Sequence, residues 1–180
     1  MAQRIFNITT DELKENIPLF SVGDRVFLSG TVYTARDAAH KRIFQLLDSG
    51  SEPPFSIENS IVYYAGPTPA KNGMAVGSCG PTTSSRMDAF APRLLDLGML
   101  AMIGKGDRSQ EVIDAIRRNG AVYLCAVGGA GALIAKCITE ADEIAFHELG
   151  CESVKKLTIS ELPLIVGIDA AGNSIFERNT

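Results

Sequence analysis

The chain has 180 residues, 46% hydrophobic and 21% charged, with a formal net charge of −4. This balance describes one compact soluble domain and excludes a disordered chain, and no apolar run reaches the length of a bilayer span. The negative charge gives no general attraction to nucleic acid or anionic membrane, so any anion site must be local.

In chain order, Thr9 followed by Glu12 has the spacing of a capping box and predicts a short helix from Thr9 to about Asn16, interrupted by Pro18. Arg25 to Tyr33, rich in β-branched and aromatic residues, predicts a strand that turns at Thr34. From Arg36 to Leu47 the residues Ala39, Ile43, Leu46 and Leu47 share one face of a helix, which Gly50, Pro53 and Pro54 end. Ile61 to Ala65 predicts a short strand running into Gly66-Pro67-Thr68-Pro69. Loop character then persists through Gly80-Pro81, a length more often tied to function than to a simple connection.

Thr82 to Ala89 is expected to begin a helix, and Pro92 to open a second with Leu94, Leu95 and Leu97 facing the core. Met99 to Ile103 reads as a buried strand ending in Gly104-Lys105-Gly106. Ser109 then caps a helix through Arg118, stopped by Asn119-Gly120. Ala121 to Val127 is another buried strand, and Ala130 to Cys137 a small-residue helix. Glu143 to Phe146 and Pro163 to Asp169 read as strands, and Ala171-Gly172-Asn173 turns the chain back into a strand from Ser174 to Glu177. The closing residues Glu177 to Thr180 read as a solvated end. The expected fold class is α/β, a single domain over residues 1–180 with a mixed sheet.

The N-terminal residues lack the apolar core and cleavage signal of a secretory peptide, so the expected compartment is cytoplasmic. Cys79, Cys125, Cys137 and Cys151 are widely spaced and accompanied by two histidines. No C-x-x-C or H-x-x-C set offers a metal constellation, so each cysteine reads as a buried or incidental thiol and the expected metal ligands in this chain are none.

Three cations stand at element ends beside glycine, proline or hydroxyl residues: Arg36 after Thr34, Arg86 after the Thr82-Thr83-Ser84-Ser85 run, and Lys105 between glycines. A guanidinium fork grips a carboxylate with two charge-assisted hydrogen bonds, so two arginines facing one cavity would orient a dicarboxylate at both ends. The bland alternative is a solvated ion pair at each. Gly77 to Arg86 packs glycines, proline and hydroxyls before a helix start, which suits an anion at the exposed N–H groups or a plain cap. Gly104-Lys105-Gly106 lacks the G-x-x-x-x-G-K-[ST] spacing of a nucleotide loop. His40 lies one helical turn after Arg36 and either shares its site or is a hydrogen-bonded structural histidine.

Taken as a set, Gly30 to His40, Tyr64-Ala65-Gly66-Pro67-Thr68-Pro69, Gly77 to Arg86 with Met87-Asp88, and Ile103 to Gly106 resemble the β subunit, or C-terminal domain, of class I iron–sulfur fumarate hydratases and L-tartrate dehydratases. The resemblance runs from about Gly23 to Glu177. It implies a swivelling β/β/α-type domain, paired in a hetero-oligomer with an α subunit that carries a [4Fe–4S] cluster on its own cysteines. A homodimer is the other assembly open to the isolated chain. It further implies that Arg36, Thr82, Thr83, Arg86 and Lys105 bind the substrate, with the cluster's open iron acting on the departing hydroxyl. Thr82 is the candidate base, Lys105 its activator and Asp37 the fallback base. The implied reaction is the reversible hydration of fumarate to malate. Tartrate or a methyl-substituted fumarate (mesaconate) is the alternative substrate, and a dicarboxylate-binding regulatory module without catalysis the alternative class.

Overall fold

The structure, a computed structural model, describes residues 3–70 and 73–176. Seven strands form one mixed sheet: β1 (Ile5–Thr9), β2 (Arg25–Thr34), β3 (Ile61–Tyr63), β4 (Ala101–Gly104), β5 (Val122–Cys125), β6 (Ile138–Ala145) and β7 (Val154–Ile168). Their order is β1-β2-β3-β4-β5-β7-β6, and β2 also pairs with β7. Strands β2 to β5 run parallel, whereas β7 runs antiparallel to both β5 and β2. The sheet therefore closes on itself as a small five-stranded barrel, with β1 and β6 added outside the ring. Closure depends on the length of β7, whose 15 residues reach β6, β2 and β5 in turn. The expected α/β domain with a mixed sheet is what forms.

Two apolar layers follow from strand alternation. Ile61, Tyr63, Ala101, Ile103, Val122 and Leu124 fill the barrel. Their neighbours Val62, Tyr64, Met102 and Tyr123 point outward into a second core. That outer core lies under the helices α2 (Asp37–Asp48), α3 (Ala91–Asp96) and α4 (Gln110–Asn119), which follow the short α1 (Leu13–Asn16) in the chain. With both faces covered, the central strands are apolar throughout and show no polar alternation. The sixth-strand side carries α5 (Gly131–Lys136).

Several expected elements are corrected. Thr9 ends β1, and the helix begins at Leu13, four residues later than read. Half of the capping box is present, because the Thr9 N–H donates to Glu12 Oε2 at 2.8 Å. The Thr9 hydroxyl also turns to Glu12 and does not cap the helix. Glu143 to Phe146 is only the end of the longer β6, and Phe146 itself has left the strand for a left-handed conformation (φ 58°). Pro163 to Ile168 is likewise only the last six residues of the 15-residue β7, and Asp169 lies beyond it. Ser174 makes only a single bridge to Ile168, and Ile175 and Phe176 turn, so the closing strand does not form there. Glu177 and the rest of the charged end lie outside the described residues.

Candidate functional site

The parallel strands β2, β3 and β4 end on one rim of the barrel, and the candidate residues follow those ends. After β2 the Ala35 N–H still bonds the Tyr63 carbonyl, and the chain turns at Arg36, the extended residue that caps α2. Asp37 is then the first residue of that 12-residue helix, where a carboxylate is favoured by the exposed N–H groups and the dipole. After β3, Gly66 brings the backbone against Arg36: a Cβ there would stand 2.9 Å from Nη1 and 3.0 Å from the Cys151 carbonyl. A side chain at 66 would push the guanidinium aside.

The Thr82 to Arg86 segment crosses the ends of β3 and β4. Thr82 N–H donates to the Tyr64 carbonyl at 2.6 Å, and Thr83 bridges Lys105 in parallel. The Ser84 N–H donates to the Lys105 carbonyl at 2.9 Å, while the Lys105 N–H donates to Ser84 Oγ at 3.0 Å. These bonds explain why the expected helix from Thr82 does not form. Thr82 and Thr83 are extended against the strand ends, and helical turning is confined to a four-residue 3₁₀ turn, Ser84–Met87. Gly104 makes the close seat possible, since a Cβ at this position would fall 1.9 Å from Ser84 Oγ.

From that turn Arg86 reaches back to α2. Its Nε–H donates to Asp37 Oδ1 at 3.0 Å, and Nη2 lies 2.8 Å from Oδ2. Arg36, the residue before Asp37, places Nη2 3.1 Å from Glu152 Oε1, and Glu152 Oε2 accepts the Ala38 N–H at 3.1 Å. Both guanidiniums thus border the N-terminus of α2. Thr82, Thr83 and Lys105 form the second half of the same rim. Lys105 and Thr82 are half-buried, Thr83 and Arg86 exposed.

Each arginine is paired with an internal carboxylate, Asp37 for Arg86 and Glu152 for Arg36. Asp37 is therefore engaged with a guanidinium in this state. A cleft of about 410 Å³ opens beside Arg36, with Thr68, Glu143, His147, Cys151 and Lys155 in its wall. None of the six candidate residues lines this cleft.

His40 does not share the site. It is fully buried, stacked on Phe90 and edge-on to Tyr64, with Nδ1 2.9 Å from the Arg36 carbonyl. A carbonyl only accepts, so Nδ1 carries the proton. Burial pushes the imidazole down to about 4 and keeps it neutral.

Three neighbours went unread in the sequence. Glu152 carries no motif and reaches Arg36 only through the fold. Arg108 and Asp88 form a buried ion pair, with Arg108 Nε 2.7 Å from Asp88 Oδ1. The one available signal was that Asp88 closes the motif containing Arg86.

The cysteines do not fit an iron–sulfur centre. Cys79 is fully buried, its carbonyl accepting the Tyr63 hydroxyl, and burial pushes its thiol up to about 12. Cys125 is pushed to about 11, so neither readily supplies the thiolate that a metal requires. Among the described residues no group of three or more His, Cys, Asp and Glu side chains is arranged to hold a metal ion.

The sequence profile of the family described as Fumarase C-terminus matches residues 2–179. Fumarate hydratase 2 of Leishmania major is 37% identical over 170 residues, which cover 93% of this chain and 30% of that protein. The anaerobic class I fumarate hydratase of Escherichia coli is 36% identical over 169 residues, 93% of this chain and 31% of the relative. The chain thus spans about a third of the length of these two enzymes. A Methanocaldococcus jannaschii protein, provisionally named L(+)-tartrate dehydratase subunit beta, is 40% identical over 171 residues, covering 92% of this chain and 88% of that one.

Proposed function

The chain belongs to the fumarase C-terminus family, and from that premise we propose that it is the carboxylate-binding β portion of an iron–sulfur hydro-lyase that reversibly hydrates fumarate to malate. The observation that carries this reading is the common position of Arg36 and Arg86 at the N-terminus of α2, on the rim that also bears Thr82, Thr83 and Lys105. Crevices at the carboxyl ends of parallel strands are where α/β folds bind ligands, which favours this rim over the rest of the surface.

In this reading Arg36 and Arg86 exchange Glu152 and Asp37 for the two carboxylates of a four-carbon diacid. The replacement is isoelectric, so the guanidiniums stay paired throughout. Thr82, supported by Thr83, faces the carbon next to one carboxylate. In the hydration direction its hydroxyl delivers a proton to that carbon while the Lys105 ammonium passes a proton to the threonine oxygen, and the water that gives its hydroxide to the second olefinic carbon returns its remaining proton to the Lys105 amine. Dehydration runs the same transfers in reverse. Asp37 is the second candidate for the proton once Arg86 has moved to substrate. The second olefinic carbon receives its hydroxyl from the partner's side of the cleft.

In the same proposal the [4Fe–4S] centre belongs to a separate α portion, where it would supply Lewis-acid chemistry at the departing hydroxyl. The swivelling of a β/β/α domain against that portion, a hetero-oligomeric assembly and a cytoplasmic location belong to the same proposal. No helix among the described residues is long and apolar enough to cross a membrane. L(+)-tartrate is the second substrate reading, favoured by the relative that matches over nearly its whole length and carries that name.

The test is an oxygen-free reconstitution with an α-type chain, assayed on fumarate, malate, mesaconate and both tartrates. Activity confined to the pair is expected. Tight diacid binding by this chain alone, with an inactive pair, would replace the enzyme with a binding module.

A further inference from the structure

A layer of buried polar side chains lies behind the two arginines, and the chemistry above uses none of them directly. Arg108 is wholly enclosed, its guanidinium held between the rings of Tyr64 and Tyr123 at 5.3 and 5.0 Å. It donates through Nε to Asp88, whose other oxygen accepts the Ser109 N–H at 2.7 Å. Tyr123 donates to the Gly106 carbonyl at 2.9 Å, and the Ser84 hydroxyl donates to the Tyr123 oxygen at 2.8 Å. The short turn that carries Arg86 is therefore fixed from below at both ends, at Ser84 and at Asp88. On the opposite side of Tyr64 stands His40, which holds the Arg36 carbonyl. Arg108 Nη2, Tyr64 Oη and His40 Nε2 have no hydrogen-bond partner among the described residues, and they are a donor, a group that can do both, and an acceptor.

A buried ion pair is a poor source of net stability, because desolvation offsets most of the attraction and a packed apolar pair of similar volume often does better. Charges kept in such a place are better explained by the geometry they enforce. Asp88 is two residues from Arg86, and the far end of the same layer touches the residue that carries the other guanidinium.

We propose that Arg108 and Asp88, with Tyr64 and His40 behind them, are positioning residues that fix the separation of the Arg36 and Arg86 guanidiniums and so set the length of diacid the site accepts. The proposal rests on the diacid reading above and deepens it. Asp88→Asn is the primary variant, because it puts an NH2 donor in place of one of the two oxygens that accept from Arg108 Nε and the Ser109 N–H. In the reconstituted pair KM for the four-carbon substrate is expected to rise about tenfold while kcat changes less. Competitive inhibition should lose its preference for succinate over malonate and glutarate. The effect should be non-additive with Arg86→Lys, as expected of residues acting through one another.

A readout independent of turnover is the Arg86 Nε–H resonance in the isotope-labelled full chain. It should be sharp in the wild type, where Asp37 holds it, and shifted and broadened in Asp88→Asn. A wild-type pair that binds no diacid would remove the substrate reading, and the resonance would still decide the brace. An unchanged resonance with unchanged inhibitor preference in a folded variant overturns the proposal, as does simple additivity with Arg86→Lys. Arg108→Lys replaces Asp88→Asn if the latter does not fold, and failure of both to fold would assign the pair to stability alone.

Discussion

Arg86→Lys separates binding chemistry from fold more sharply than any other substitution at the rim. The Arg86–Asp37 pair is on the surface, with the arginine side chain 49% exposed and the aspartate 26%. Exposed ion pairs contribute about 0.2–1 kcal/mol, and lysine keeps the charge, so stability should change by no more than about 0.5 kcal/mol. Substrate binding should suffer far more. Lysine keeps a point charge and loses the planar fork, which removes one charge-assisted hydrogen bond of about 2–3 kcal/mol from a desolvated complex. At about 1.36 kcal/mol per decade, kcat/KM for fumarate should fall about 30- to 160-fold. The assay is the loss of fumarate absorbance in the oxygen-protected pair. Thermal melting of the single chain and co-elution with the α portion measure what should remain. Melting within a degree or two of wild type together with kcat/KM within twofold would remove Arg86 from the site. A large loss of melting temperature would show that the pair with Asp37 does more for the fold than its exposure allows.

Glu152→Gln should release Arg36 and tighten succinate binding by the isolated chain several-fold in calorimetry, whereas unchanged or weaker binding would show that Glu152 builds the site and does not occupy it. His40 is buried neutral with its pKa lowered from 6.5 to about 4, so the unfolded chain takes up a proton first as pH falls. Stability is therefore lost between about pH 6.5 and 4, by up to about 3 kcal/mol. Urea unfolding should show stability falling more steeply with decreasing pH over that range in the wild type than in His40→Phe, and an equal pH dependence in the two would refute the assignment. Gly104→Ala should cost about 1–3 kcal/mol or more, because its Cβ meets Ser84 Oγ at 1.9 Å and the Tyr64 ring at 3.0 Å; an unchanged urea midpoint would contradict the tight seat of the Ser84 turn. Cys151 is exposed and Cys79 fully buried, so a thiol reagent followed by mass spectrometry should label Cys151 first, and comparable rates at Cys79 would mean that the loop above it opens.

The central strands were legible because they are short, apolar and bounded by glycine or proline, and both faces of each are covered. β2, α2, β4, α4 and β5 lie within a few residues of where periodicity puts them. What periodicity missed has a common cause, which is that the deciding partner is remote. β1 is exposed on alternate residues and is held by β2 through backbone bonds, so nothing in its own residues marks it apart from a loop. β7 reads as a fragment because its first half pairs with two other strands while carrying the exposed polar residues Lys156, Ser160 and Glu161. Barrel closure, which depends on β7, was illegible for the same reason.

The rim divides along the same line. Arg36, Arg86 and Lys105 were readable because glycines and hydroxyls mark element ends, and element ends of parallel strands share one side of a barrel. Glu152 and Arg108 were not, because Glu152 acts across more than 100 residues of chain and Arg108 acts from one buried layer below. A charged residue in a sequence is read as solvated by default, and Arg108, wholly enclosed between two tyrosines, is the case where that default fails. The hydrogen-bond geometry gives that exception a consequence. Ser84 and Asp88 are fixed by groups that never meet solvent, so the exposed Arg86 between them hangs from a rigid base. An exposed arginine on a loose loop would have to be ordered by each substrate it met, at a cost in side-chain and backbone entropy on every binding event. Here the folding of the outer core supplies that order in advance, so the placing of Arg86 rests on a layer deeper than the rim itself.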